Sequence, residues 1–147
     1  MIILDTNIIS ALMRSHPDTA VARWLDAQVA DELALTSITV FEIEFGILRL
    51  PTGRRRAQLH EQFARVMSDE FGARILPFDE PAARAAARVS AERAAAGRPI
   101  DVKDCQIAGI AISNDAAIAT RNARDFAGLG IAVIDPWSPQ AADPATQ

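Results

Sequence analysis

Short apolar runs alternate with longer stretches of helical periodicity along the chain. Residues 2–4, 33–36, 74–76, 117–120 and 131–134 are brief, and the first, third and last are Ile/Leu/Val runs bounded by polar residues or proline. Runs of this kind predict buried parallel strands, which need helices on both faces. Between them, 21–28, 40–50 and 55–67 carry apolar residues at helical spacing, as with Leu59, Phe63 and Val66. A helix is also expected from about Asn7. Asp79 can cap an alanine-rich helix from Glu80 that ends at Gly97, with Pro81 tolerated in its first turn. Asp101 can cap another that reaches about Ser113. The alternation implies α/β architecture, a three-layer α/β/α sandwich about a central, mainly parallel sheet. This domain is expected over residues 1–137. Residues 138–147 are rich in Pro, Ala and polar side chains and are expected to form a flexible tail.

Composition narrows the class. A chain of 147 residues, half of them hydrophobic, suits one domain that folds without staples. The single Cys105 cannot form an internal disulfide, and with two distant His it gives no zinc-ligand spacing, which points to a reducing compartment. The first residues lack the basic start of a signal peptide. The longest apolar stretch, 107–112, is far below the ~18 residues of a membrane span. A soluble, cytoplasmic protein without membrane association is expected. The net charge of −4, from 19 acids and 15 bases, argues against holding nucleic acid by bulk electrostatics. Setting four acids aside as cation ligands would leave 15 against 15, a neutral remainder.

The positions of the acids carry the chemistry. Parallel sheets bind ligands beyond the carboxyl ends of their strands. Asp5 directly follows the first strand and opens the polar trio Asp5-Thr6-Asn7; its bland alternative is a helix N-cap. After the second strand, Ser37 or Thr39 can cap the next helix and place Glu42 near its first turn, with Gly46 one turn on along the same face. A glycine there predicts close approach of another backbone. Glu44 points away and reads as solvated or salt-bridged. Asp104, three residues after Asp101, is aimed to the core side at the positive end of its helix, where it needs a partner. Cys105 reads as a small core residue. The fourth strand runs into Arg121-Asn122-Ala123-Arg124-Asp125-Phe126, again polar and again containing an acid.

Carboxylates converging on one point repel by ~3 kcal/mol per pair at ~5 Å separation and an effective dielectric of ~20. Hard oxygen ligands without His or Cys select Mg²⁺ or Mn²⁺. A metal so held activates water against a phosphodiester, which is nuclease chemistry. There is no nucleophile elbow or P-loop, and Gly128-Leu129-Gly130 falls short of a dinucleotide fingerprint.

Four segments, in order, resemble the motifs of PIN-domain ribonucleases, and among them the bacterial VapC toxins and FitB. They are Ile3-Leu4-Asp5-Thr6-Asn7, the stretch from Thr36 to Gly46 that contains Glu42, the stretch from Ile100 to Ala108 that contains Asp104, and Ala119-Thr120-Arg121-Asn122-Ala123-Arg124-Asp125-Phe126. The similarity runs from residue 1 to about Trp137. It implies a Mg²⁺-dependent endoribonuclease toxin, neutralised by a cognate VapB-like antitoxin, commonly a homodimer, and meeting DNA only through the antitoxin. By motif matching, Asp5, Glu42 and Asp104 correspond to the family's three strongest acids and Thr6 to its strand-end hydroxyl. The chain departs at the fourth acidic position, which is Asn122. Either Asp125 supplies the fourth carboxylate or Asn122 contacts metal-bound water, and the number of metals stays open with that choice.

Lys103 and Arg121 stand in sequence beside these acids and are candidates to hold substrate phosphates. Arg54-Arg55-Arg56 opens a helix, an unfavourable end for cations, so RNA backbone or an acidic partner competes with a solvated face as its explanation. Trp24 with Leu25, and Phe41 with Phe45, read as core, with a surface for a second subunit or an antitoxin helix as the alternative. The expected function is cleavage of single-stranded RNA. A catalytically silent module that acts through an antitoxin and DNA is the rival. An aspartyl-phosphate enzyme is disfavoured, because position 7 is Asn where a second Asp is wanted.

Overall fold

Alternation within three residues sets the layers. In β1 (Ile2–Leu4) neighbouring side chains point to opposite faces of the sheet. Leu4 joins a core with Ile8, Ile9, Val21, Trp24, Leu35 and Phe63, whereas Ile3 joins one with Ile107, Ile110, Ile118 and Phe126. The structure, a computed structural model, describes the backbone of residues 1–71 and 74–138, with the side chains of 70 and 71 not included. Of the tail expected at 138–147, all but Ser138 lies outside the described residues.

From β1 the chain runs through α1 (Thr6–Leu12), α2 (Thr19–Asp26), β2 (Leu33–Thr36), α3 (Ser37–Leu48), α4 (Arg54–Val66), β3 (Ile75–Leu76), α5 (Glu80–Ala95), α6 (Val102–Ser113), β4 (Ala117–Ala119) and β5 (Val133–Ile134). The sheet is wholly parallel in the order β3-β2-β1-β4-β5. In the central pairing Ile3 lies opposite Ala34 on one side and Ile118 on the other. Helices α1 to α4 bury the Leu4 face and α5 and α6 the Ile3 face, which gives the expected three-layer sandwich. The chain leaves β1 toward β2 and β3 and later returns to its other side as β4. The carboxyl ends of β1 and β4 therefore border the switch point where parallel sheets open a crevice.

Asp79 and Asp101 cap α5 and α6 as expected, each accepting a backbone N–H of the first turn. Gly97, at φ 69°, ends α5 in the left-handed region that favours glycine. Two expectations are corrected. The cap of α3 is Thr36, the last residue of β2, whose hydroxyl accepts Thr39 N–H at 3.1 Å, so Glu42 falls in the second turn instead of the first. Among the described residues no backbone approaches Gly46, since a Cβ there would meet nothing within 4 Å. The glycine demanded by packing is Gly109, where a Cβ would strike the Ala82 carbonyl and stand 2.8 Å from Ala86 N. Small residues of α5 thus let α6 sit close, and Cys105 joins them, its Sγ donating to Ala86 O at 2.9 Å.

Candidate active site

Four elements end at one crevice. Asp5 leaves β1, Glu42 projects from α3, Asp104 from the first turn of α6, and Arg121 and Asn122 follow β4; all five line a cleft of about 310 Å³. Thr6, Asn7, Ser10, Arg14 and Trp137 complete its wall. The acids scattered through the sequence are thus neighbours in space.

Asp5 is 4% exposed and does two jobs. One oxygen caps α1, accepting Thr6 N–H at 2.8 Å, and the other accepts the Thr120 hydroxyl at 2.7 Å. The capping role and the site role are therefore compatible. Burial pushes its carboxyl up, the hydrogen bonds from Thr120 and Thr6 pull it down, and Asp125 raises it again. Thr120 is fully buried and also accepts Asn122 N–H at 3.0 Å and the Asn7 amide at 3.3 Å. Asn7 in turn accepts Arg121 N–H at 3.2 Å, tying the start of α1 to the loop after β4. A second relay supports Glu42. Thr6 donates to its Oε1 at 3.0 Å, with the Thr39 hydroxyl 3.3 Å from Thr6 and the Thr36 hydroxyl 3.3 Å from Thr39. Burial raises the Glu42 carboxyl, while Thr6 and then Lys103 oppose the rise.

Asp104 differs from both. Burial comes first, followed by repulsion from Asp5, Asp101, Asp125 and Glu42, and together they push it to about 6, with no hydrogen bond among the described residues to oppose them. Asp125 is exposed and does not line the cleft, yet its charge reaches both Asp5 and Asp104. Glu44 turns away, 3.8 Å from His60. Sequence reasoning missed Thr120 as a hydrogen-bonding node, and also Ser10, Arg14 and Trp137. The i, i+4 spacing of Thr6 and Ser10 on α1, continued by Arg14 just beyond its end, was the available signal for these two.

The donors are carboxylate, hydroxyl and amide oxygens, a hard set that fits Mg²⁺ or Mn²⁺. Among the described residues no three of His, Cys, Asp and Glu are gathered tightly enough to cage an ion unaided. That spacing suits a cation that keeps several waters. The raised carboxyl of Asp104 gives a prediction for the metal-free protein. Between the unfolded value of 3.8 and the folded value of about 6, the folded chain holds a proton that the unfolded chain has released. Stability in EDTA should therefore fall as pH rises through that window and stay lower above it. Urea unfolding at about pH 4.5 and about pH 7 checks this, and Asp104→Asn should reduce the difference to what the raised Asp5 and Glu42 contribute.

The chain belongs to the PIN-domain family, whose model matches residues 2–131. Within that family its relatives include VapC and FitB proteins. The VapC ribonuclease Y4jK of Sinorhizobium fredii is 38% identical over 139 residues, covering 95% of this chain and 99% of that protein. Toxin FitB of Neisseria gonorrhoeae is 36% identical over 137 residues, 93% of this chain and 99% of that one. The structure of FitAB bound to an IR36 DNA fragment matches with a TM-score of 0.85 at 36% identity, covering 94% of this chain and 96% of that one.

Proposed function

We propose that the protein is the metal-dependent endoribonuclease toxin of a toxin–antitoxin pair. The observation that carries this reading is the convergence of Asp5, Glu42 and Asp104 on one cleft at the β1/β4 switch point, each carboxyl raised by burial and two of them held by threonine hydroxyls. The ribonuclease name of a relative 38% identical along nearly its whole length supports RNA as substrate.

Asp5, Glu42 and Asp104 would hold Mg²⁺ or Mn²⁺, with Asn122 facing the same cleft and Asp125 contributing charge from its edge. When bound, the ion supplies Lewis-acid activation of water and of the scissile phosphate. The chain's own residues do the rest. Thr120 and Thr6 fix the rotamers of Asp5 and Glu42, Asn7 clamps the β4 loop onto α1, Lys103 offsets the charge of Glu42, and Lys103 and Arg121 hold substrate phosphates. The nucleophile is water, so no covalent enzyme intermediate forms. Cleavage of single-stranded RNA should require added Mg²⁺, stop with EDTA and return when Mg²⁺ is restored. Mg²⁺ should also raise the melting temperature, because relief of repulsion binds it to the folded state alone. Cleavage that persists in EDTA would remove the proposal.

A second cleft, about 530 Å³, adjoins the first and shares Thr6, Ser10, Arg14 and Glu42 with it. Met13, Ile43, Ile47 and Leu59 give it an apolar lining, with Arg55 among its polar ones; it suits a segment of a VapB-like antitoxin, through which the toxin would meet DNA. Gly46 lines this cleft, and its missing side chain keeps the wall open.

Trp24 and Leu25 are core, as expected, but Phe41 and Phe45 are 56% and 48% exposed, with their rings stacked 5.9 Å apart. With exposed Leu48 they form the face we assign to a homodimer. Phe41→Glu with Phe45→Glu should give a folded monomer by light scattering, with an unchanged circular dichroism spectrum and a melting temperature that no longer depends on protein concentration; a dimer that survives would move the interface elsewhere. Among the described residues no helix is long and apolar enough to cross a membrane, and the proposed action on cellular RNA supports a cytoplasmic location.

A further inference from the structure

We propose that Trp137 is a positioning residue that holds Arg121 off the carboxylates and presents its guanidinium to a phosphate of single-stranded RNA; the proposal rests on the ribonuclease reading. Arg121 lines the cleft together with Asp5 and Asp104. A long, flexible cation beside partly desolvated carboxylates is drawn onto them by Coulomb attraction. Yet among the described residues the ion pairs involve other side chains, and the guanidinium carbon instead lies 4.9 Å from the centroid of the Trp137 ring.

Both partners are anchored. The backbone N–H of Trp137 donates to Asp135 Oδ1 at 2.9 Å, and its side chain packs against the α1–α4 core. The backbone N–H of Arg121 is held by Asn7, the residue that also contacts Asp5. A guanidinium placed over an aromatic ring by cation–π attraction spends no hydrogen bond there, and its N–H groups remain able to match a phosphate bidentately. The arrangement therefore separates two needs that compete in one cleft. The carboxylates stay open to a cation, and a positive charge stays open to the substrate backbone.

The test uses the full chain carrying Asp104→Asn, so that fluorescence anisotropy reads binding of a labelled single-stranded RNA without cleavage. Trp137→Leu and Arg121→Ala should each weaken binding by about tenfold and each lower the salt slope by about one. Together they should weaken it no further than either alone, and Trp137→Phe should recover most of the affinity. In protein with Asp104 intact, Trp137→Leu should raise KM and leave kcat within about twofold. An equal loss from Trp137→Leu with and without Arg121, or no loss at all, overturns the proposal while leaving the ribonuclease reading intact. Parent protein that neither binds nor cleaves RNA overturns that reading first. Should Trp137→Leu fail to fold, Trp24→Phe leaves Trp137 as the sole tryptophan. Arg121→Ala should then shift its emission to the red, and unchanged emission overturns the stack itself.

Discussion

Asp104→Asn should abolish RNA cleavage, by at least about a thousandfold, while the metal-free protein melts at or above the wild-type temperature. The two effects have one cause. In the folded chain Asp104 is half-buried, repelled by four other acids, and its carboxyl is raised to about 6. An amide of the same shape removes that repulsion but also a hard anionic ligand. The Mg²⁺-induced rise in melting temperature should shrink in the variant. Two measurements suffice, cleavage at saturating Mg²⁺ and melting in EDTA. Retained cleavage would show that Asp104 is not part of the machinery, and a large drop in melting temperature would show that its carboxylate is structural.

Thr120→Val should do the opposite to stability. The hydroxyl is fully buried and serves three partners, donating to Asp5 Oδ2 and accepting from Asn122 N–H and the Asn7 amide. Valine has nearly the same shape, so no cavity is created and the loss is confined to hydrogen bonding. Asp5 Oδ2 then keeps only the longer contact from the Asn7 amide, 3.4 Å, and losing the short charged hydrogen bond costs about 2 kcal/mol, equivalent to about 4–8 °C in melting temperature for a domain of this size. Asp5 also loses the contact that fixes its free oxygen, and misplacement of that order lowers kcat by about a hundredfold. Thr120→Ser keeps every polar contact and should retain most of the activity. Wild-type behaviour of the valine variant would leave Asp5 positioned by its cap to Thr6 and the Asn7 amide.

The contrast between these two substitutions tracks what could be read from the chain. Acids at strand ends are visible because an apolar run stops at a carboxylate, as at Asp5, and because Asp101 marks where a helix begins and so where Asp104 points. Thr120 is also at a strand end, but a single threonine carries no sign of whether its hydroxyl faces core, solvent or a carboxylate 115 residues away. The cap of α3 was misplaced for a similar reason. Thr36, Ser37 and Thr39 offer three hydroxyls within four positions, and only the backbone, extended at Thr36, selects among them. Phe41 and Phe45 were misread because α3 is apolar on most of its circumference, so no stripe marks the face that the sheet leaves uncovered.

Period and punctuation, being local, were settled by the sequence itself: five strand runs, the helices between them, the Asp79 and Asp101 caps, the stop at Gly97, and the order in which the acids occur. Tertiary structure alone decided distances between residues far apart in the chain. It brought Glu42 within reach of Thr6, gave Asp5 to Thr120, put Gly109 instead of Gly46 at the tight helix contact, and laid Arg121 on Trp137. The physical reason is that hydrophobic periodicity specifies which face of each element is buried, whereas the pairing of polar groups depends on how buried faces pack together, and that is a property of the whole fold.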